Sequence, residues 1–185
     1  MRKTKSIFYL LNLLIGLILL SGCGSNSVED KMYGTWEISA LFSNADFRKL
    51  SEEPIPDEVE IEMTVKGTQS YHKGGKYNGE GEITIRFKTA EGEIPLRFFM
   101  KDAGEWSLHD NGKELVETTT DGFLTPLDEL TETFLKESPE MAASIRPVKG
   151  ETTTSQILSI SDTLMEIKDD ELKIKITMSK MQNNE

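Results

Sequence analysis

Cysteine is nearly missing from this 185-residue chain, which has one, Cys23. A single thiol excludes any disulfide within the chain, so packing alone must hold the fold. Histidine is scarce as well. His72 and His109 are the only two, and neither an H-E-x-x-H pair nor a Cys/His set exists to hold zinc. The chain has no G-x-S-x-G elbow, no P-loop and no G-x-G-x-x-G fingerprint. Gly79-Glu80-Gly81 offers two glycines in a polar strand entry and reads as a turn or bulge. Basic residues are outnumbered, 21 against 32 acidic, for a net charge of −11. That balance argues against nucleic acid, whose phosphates need Lys and Arg to replace counterions. Long apolar runs are limited to one of 14 residues, Ile7 to Leu20. At a helical rise of about 1.5 Å per residue it reaches roughly 21 Å, short of a hydrocarbon core of about 30 Å.

What is present begins with that run. Arg2, Lys3 and Lys5 precede it, and Leu20-Ser21-Gly22-Cys23 closes it. A basic start, a short apolar core and small residues before a cut site read as an export signal. With cysteine directly after Leu-Ser-Gly, the segment resembles the lipobox of bacterial lipoproteins. That resemblance implies a signal peptide over 1–22, cleavage before Cys23, a diacylglycerol thioether on Cys23 and acylation (palmitate or similar) of the new amino terminus. Each buried methylene is worth about 0.8 kcal/mol, so three acyl chains exceed what stable anchoring needs. Without the three basic residues of the leader, 18 basic residues face 32 acidic ones, a net of −14. An acidic surface of this kind does not adhere electrostatically to anionic lipid, so the acyl chains must hold the membrane. Gly24, with no aspartate beside it, resembles the outer-membrane sorting pattern of Gram-negative lipoproteins; otherwise the outer face of the plasma membrane is expected.

After a polar tether over 23–31, the signal becomes period two. Tyr33-Gly34-Thr35-Trp36-Glu37-Ile38 starts a first strand. Val59, Ile61, Met63 and Val65 alternate with glutamates, Thr64 and Lys66, as a half-buried strand requires. Ile83, Ile85 and Phe87 repeat the pattern, as do Ile94, Leu96, Phe98 and Met100, and finally Leu172, Ile174, Ile176 and Met178. Gly74-Gly75, Glu91-Gly92, Ala103-Gly104, Asn111-Gly112, Lys149-Gly150 and Asp169-Asp170 supply turns between the runs. The spacing predicts an all-β domain over 32–182, an antiparallel up-and-down barrel of about eight to ten strands, with a disordered tail at 183–185. Pro95 cannot donate to a ladder, so its strand is expected at an edge or bulged there. One inserted helix is expected after Thr125 as N-cap and Pro126 as first helical residue, with Leu127, Leu130 and Phe134 on one face and a stop at Pro139; Ser138-Pro139 would begin a second short turn through Ala143.

Gly34-Thr35-Trp36 ahead of an all-β meander resembles the opening motif of lipocalins and related calycin barrels. The resemblance implies that Trp36 plugs the closed end of a barrel while Gly34 lets the chain pass beneath it. That family usually packs an arginine over the tryptophan from a late strand; the basic residues of the last strand here are lysines. A fainter resemblance covers 104–180. Gly104-Glu105-Trp106-Ser107-Leu108-His109-Asp110, a threonine-rich strand, a Leu-Asp-Glu-Leu helix and an Ile-Leu-Ser-Ile strand follow an order similar to the ToxS and VtrC type of periplasmic regulatory partners. That second likeness implies a barrel that works with a membrane regulator.

No group of residues points to catalysis or to a cofactor. Paired carboxylates abound without any one pair being selected as acid and nucleophile. Glu52-Glu53 and Asp169-Asp170-Glu171 lack the alternating ligands, central glycine and closing glutamate of a calcium loop. His72 beside a Gly-Gly turn and His109 on the polar side of its strand read as exposed residues. Binding is the sharper expectation. An eight-stranded barrel either is filled by side chains or holds one small ligand. Trp36, Met63, Phe87, Phe98, Met100, Trp106 and Met178 are the candidate lining of an apolar pocket, and would equally build a solid core. Phe99 points to the opposite face from Phe98, flanked by Arg97 and Lys101. It is expected to lie under the inserted helix or to form a docking site for another protein, such as an envelope partner, or for a second copy. A cavity of several hundred Å³ favours a carrier of a small apolar or amphipathic ligand, and a filled interior favours a structural or regulatory interaction protein.

Overall fold

A computed structural model describes residues 27–51, 54–139, 147–171 and 173–182. Cys23 and the leader, the tail 183–185 and most of the second turn expected after Pro139 lie outside the described residues. Eight antiparallel strands close into a barrel in sequence order. They are β1 (Gly34–Phe42), β2 (Glu60–His72), β3 (Lys76–Thr89), β4 (Gly92–His109), β5 (Glu114–Pro126), β6 (Thr152–Ile160), β7 (Leu164–Asp169) and β8 (Lys175–Lys180). Among the described residues three short α-helices accompany them: α1 (Val28–Met32), α2 (Asn44–Leu50) and α3 (Glu129–Glu137).

The register explains why alternation matters. Trp36 lies opposite Gln69, Ala40 opposite Val65 and Phe42 opposite Met63, so the even positions of β1 and the odd positions of β2 share the inner face. The same parity runs on through Ile83, Ile85 and Phe87 of β3 to Phe98, Leu96 and Ile94 of β4. Pro95 pairs with Arg86, but β5 joins β4 only from Phe98 onward, so the side of β4 at Pro95 is unpaired as its chemistry demands. Leu172 is outside the described residues, and β8 starts only at Lys175.

Two core clusters occupy the two ends of the barrel. At the closed end Met32, Trp36, Tyr71, Tyr77, Trp106, Leu115, Met165, Ile167 and Met178 are buried together. Residues expected to finish a tether instead form α1. Ser27 caps it, and the last residue, Met32, is fully buried. The Trp36 Nε1–H donates to the Met32 carbonyl at 2.8 Å. Lys180 from the last strand lies over the Trp36 ring, its Nζ 5.0 Å from the centroid, and donates to the Lys31 carbonyl at 2.8 Å. A lysine therefore supplies both the cation over the tryptophan and the donor that ties α1 down. Gly34, at φ +123°, is where the chain passes closest: a Cβ there would stand 2.8 Å from Lys180 Cε.

At the open end Ile85, Leu96 and Phe98 are buried, with Ile61, Met63, Ile83, Phe87 and Leu124 packed around them. Helix α3 closes this end by contributing Phe134 and Leu135. Phe134 stacks on Phe87 with centroids 6.2 Å apart. The helix begins later than its sequence suggested. Thr125 and Pro126 stay in β5, paired with Phe99 and Phe98, because the ladder bonds outweigh the capping tendency of one threonine. Asp128 is the actual N-cap, accepting from Thr131 N at 2.8 Å and Thr131 Oγ1 at 2.7 Å. Buried Thr131 accepts in turn from the Arg97 amide at 2.9 Å, pinning α3 to β4. Leu127 and Leu130 are left 40 % and 51 % exposed, so only Phe134 of the expected stripe joins the core.

Candidate functional site

Among the described residues, the seven nominated lining residues are divided between two packed clusters and one small cavity. Trp36, Trp106 and Met178 belong to the closed-end cluster, while Phe98, Met63 and Phe87 belong to the open-end cluster. Trp106 is further fixed by donating its Nε1–H to the carbonyls of Lys76 at 3.0 Å and His72 at 3.3 Å. Its ring meets Tyr33 and Tyr71 edge-on at 5.9 and 5.5 Å. Among the described residues, Met100 is the one of the seven that lines a small cavity beside Gly67 and Gly81, together with Ile38, Val65, Gln69, Ile83 and Asp102. That cavity measures about 40 Å³. It is on the scale of a water molecule, far below the few hundred Å³ of a small-molecule site.

Between the clusters the interior is polar. Glu117 of β5 accepts at Oε1 from Gln69 Nε2 at 2.5 Å and from the Tyr71 hydroxyl at 3.1 Å, both on β2 across the lumen. Tyr77 of β3 meets Thr119 of β5 at 3.2 Å. Asp102 of β4 fits because Gly79 opposite it has no side chain: a Cβ there would lie 2.5 Å from Asp102 Oδ1. Burial pushes the Glu117 carboxyl up to about 7, the carboxylates of Asp102 and Asp169 push the same way, and the Tyr71 and Gln69 hydrogen bonds oppose them. Burial also raises Asp102, against a hydrogen bond from Tyr77, and lifts Tyr77 to about 12. Sequence reasoning missed this belt. The signal was available in the alternation itself: Gln69 shares the parity of Val65, Asp102 that of Met100, and Glu117 that of Leu115.

The outer face carries a groove of about 490 Å³. Its floor is Gly67 and Gly81, which face each other in the register. A Cβ on Gly67 would sit 2.3 Å from the Glu80 carbonyl, and one on Gly81 2.5 Å from that of Lys66. The two glycines thus let β2 and β3 approach more closely than any side chain permits. Glu37, Glu80, Glu82 and Lys66 form the walls, with Phe99 and Met181 as the apolar ends. Lys101 holds Glu80 at 2.9 Å and Arg97 holds Glu82 at 3.9 Å. Phe134 and Leu135 of α3 turn into the barrel mouth, and Phe99 on the outer face is half-buried. Phe99 meets Phe123 of β5, ring centroids 6.5 Å apart, and Phe123 is 51 % exposed.

His72 Nε2 lies 2.6 Å from Asn78 Oδ1 and His109 Nε2 3.0 Å from Ser107 Oγ, both on exposed surface. The Ser107–His109 contact joins neighbouring outward positions of one strand, with no carboxylate hydrogen-bonded to the imidazole among the described residues. Among the described residues no three Asp, Glu, His or Cys side chains gather closely enough for a metal ion, and no helix is long and apolar enough to cross a membrane. In comparison with known proteins, no family model matches this chain and no curated protein matches it in sequence.

Proposed function

We propose that this chain is a non-enzymatic, lipid-anchored protein of the cell envelope whose barrel is a scaffold and whose outer groove at Phe99 receives an apolar side chain of an envelope protein partner. One observation carries the reading. The residues suited to lining a pocket are spent on two packed clusters around about 40 Å³, whereas about 490 Å³ lies open beside Phe99 and Met181 on the outside. An aromatic pair at one end of a groove with charged walls is the composition expected of an interface anchor. The lipobox-like segment ending at Cys23 and the resemblance of 104–180 to barrels that accompany membrane regulators support the same reading. An apolar ligand inside the barrel draws less support, because a fatty acid or bile salt would have to displace packed side chains.

The test is a photo-crosslinking residue placed at Phe99 in intact cells, with exposed Leu158 on β6 as the control position. The expected result is one envelope protein captured at position 99 and absent at 158, identified by mass spectrometry as joined through an apolar residue. Phe99→Glu should weaken that complex by roughly 30-fold, the effect of losing about 2 kcal/mol at an anchor, while leaving the folded barrel intact. An amphiphile that copurifies with the full chain and is displaced by an apolar fluorophore, with nothing captured at 99, would overturn the scaffold reading.

A further inference from the structure

The end of the barrel that carries α1 is also the end nearest to Cys23 along the chain. Neighbouring strands run antiparallel in sequence order, so the turns at 73–75, 110–113 and 161–163 all fall at this end. Helix α1 is fixed across it. Met32 is fully buried, and its carbonyl accepts from Trp36 Nε1–H at 2.8 Å. The Lys31 carbonyl accepts from Lys180 Nζ at 2.8 Å. Val28 packs on the turn at 110–113, where a Cβ on Gly112 would lie 3.0 Å from Val28 Cβ. Lys73, from the turn at 73–75, lies over the Tyr33 ring with its Nζ 5.7 Å from the centroid. The Tyr33 hydroxyl donates to Glu29 of α1 at 2.5 Å. Ser27, the N-cap of α1, is thereby held on the barrel itself.

Four peptide steps separate Ser27 from Cys23, and fully extended they span at most about 14 Å. Strand β3 has 14 residues; at about 3.3 Å each and a tilt of about 40°, it puts the opposite end roughly 35 Å away. An acyl anchor on Cys23 cannot reach a bilayer that faces that far end. Charge divides the two ends in the same sense. Among the described residues, the segments 27–33, 73–75, 110–113 and 161–163 at the α1 end carry four acidic and three basic residues. The segments 43–59, 90–91, 127–151 and 170–174 at the other end carry eleven acidic and five basic ones. We infer that the α1 end is the membrane-facing surface: α1 and the turns at 73–75 and 110–113 rest on phospholipid headgroups, and the barrel stands with α3 away from the bilayer. The inference rests on the lipid anchor proposed above and adds its orientation. Lys31, Lys73 and Lys113 offer ammonium donors to phosphate oxygens at this surface, whereas a negative leaflet repels the acidic far end.

The experiment uses the full acylated chain in phosphatidylcholine vesicles, with its acyl mass checked by mass spectrometry. Acylation blocks the Cys23 thiol, so a single introduced cysteine carries the fluorophore. Labels are placed one at a time at Lys73→Cys and Lys113→Cys on the α1 end, and at Glu91→Cys and Lys136→Cys on the other. Two sites at each end keep the comparison if one variant misfolds. Phospholipid with a nitroxide on its headgroup then quenches whichever label lies at the bilayer surface. Quenching should be several-fold greater at 73 and 113 than at 91 and 136. Equal or greater quenching at 91 or 136, in a chain that carries its acyl mass, would overturn the orientation and leave the anchor standing. So would the absence of quenching at all four sites, because headgroup contact would then be missing. A chain without acyl mass would overturn the anchor, and the orientation with it.

Discussion

At Gly67 and Gly81 a hydrogen does what no side chain can. The two residues face each other, and a Cβ on either would meet the neighbouring strand's backbone carbonyl at 2.3 or 2.5 Å. Backbone cannot step aside as a side chain can. Gly67→Ala should therefore cost roughly 3 kcal/mol, the upper part of the overpacking range. Gly79→Ala supplies the contrast, since its Cβ would strike the carboxylate of Asp102 at 2.5 Å, a group able to rotate. It should cost about 1 kcal/mol, so urea midpoints must rank Gly67→Ala well below Gly79→Ala. At this scale the sequence was readable where a residue type has one dominant use. Trp36 was readable as an inward residue of the first strand, and it is fully buried in a core cluster. Lys180 was not readable in that role, because nothing in a lysine's identity says that its ammonium will settle over an indole. Glu117 and Asp102 were passed over because a charged residue in a strand is ordinarily assigned to water, whatever its parity.

Among the elements, strands with large apolar residues on one side were legible, and short or weakly apolar ones were not. β2, β3 and β4 follow the alternation closely, whereas α1 and α2, of five and seven residues, are too brief to show a helical period. The seven-residue α2 is set by a capping box between Ser43 and Asp46, a local signal that lies in the sequence but carries no amphipathic stripe behind it. The start of α3 was misplaced because two caps compete within four residues, and pairing of β5 with β4 decides between them. That competition is testable. Asp128→Ala removes the bonds to Thr131 N and Oγ1 and should destabilise the protein by about 1 kcal/mol, the usual loss for a cap. Thr125→Ala, exposed in the strand, should stay within about 0.5 kcal/mol of wild type. Equal losses in the two variants by chemical denaturation would mean that Thr125 shares the capping role.

For the whole molecule, turn spacing and strand count were enough to predict an antiparallel barrel, and the eight strands do close in sequence order. Interior volume was not predictable, because parity says which side a residue takes but not how far neighbouring strands lean in. The same seven side chains are compatible with a pocket or with two plugs; here Gly67 and Gly81 leave no room for a side chain between β2 and β3, and Phe134 and Leu135 of α3 pack onto one of the two clusters. How the molecule is held in place is a question at this scale too. With 18 basic and 32 acidic residues after Gly22, the domain repels an anionic surface, so its attachment must be carried by acyl chains if Cys23 is lipidated as proposed. Cys23→Ser then leaves no thiol to modify, and the apolar run of 14 residues is expected to stay on the chain uncleaved. Wild type should enter the detergent-rich phase on Triton X-114 partition and gain the mass of its acyl groups over the cleaved chain. Cys23→Ser should lack that mass and keep residues 1–22. A wild-type protein that runs in the aqueous phase at its unmodified mass would show that the barrel is not tethered through this residue, since a domain with a net charge of −14 has no electrostatic substitute for the lipid.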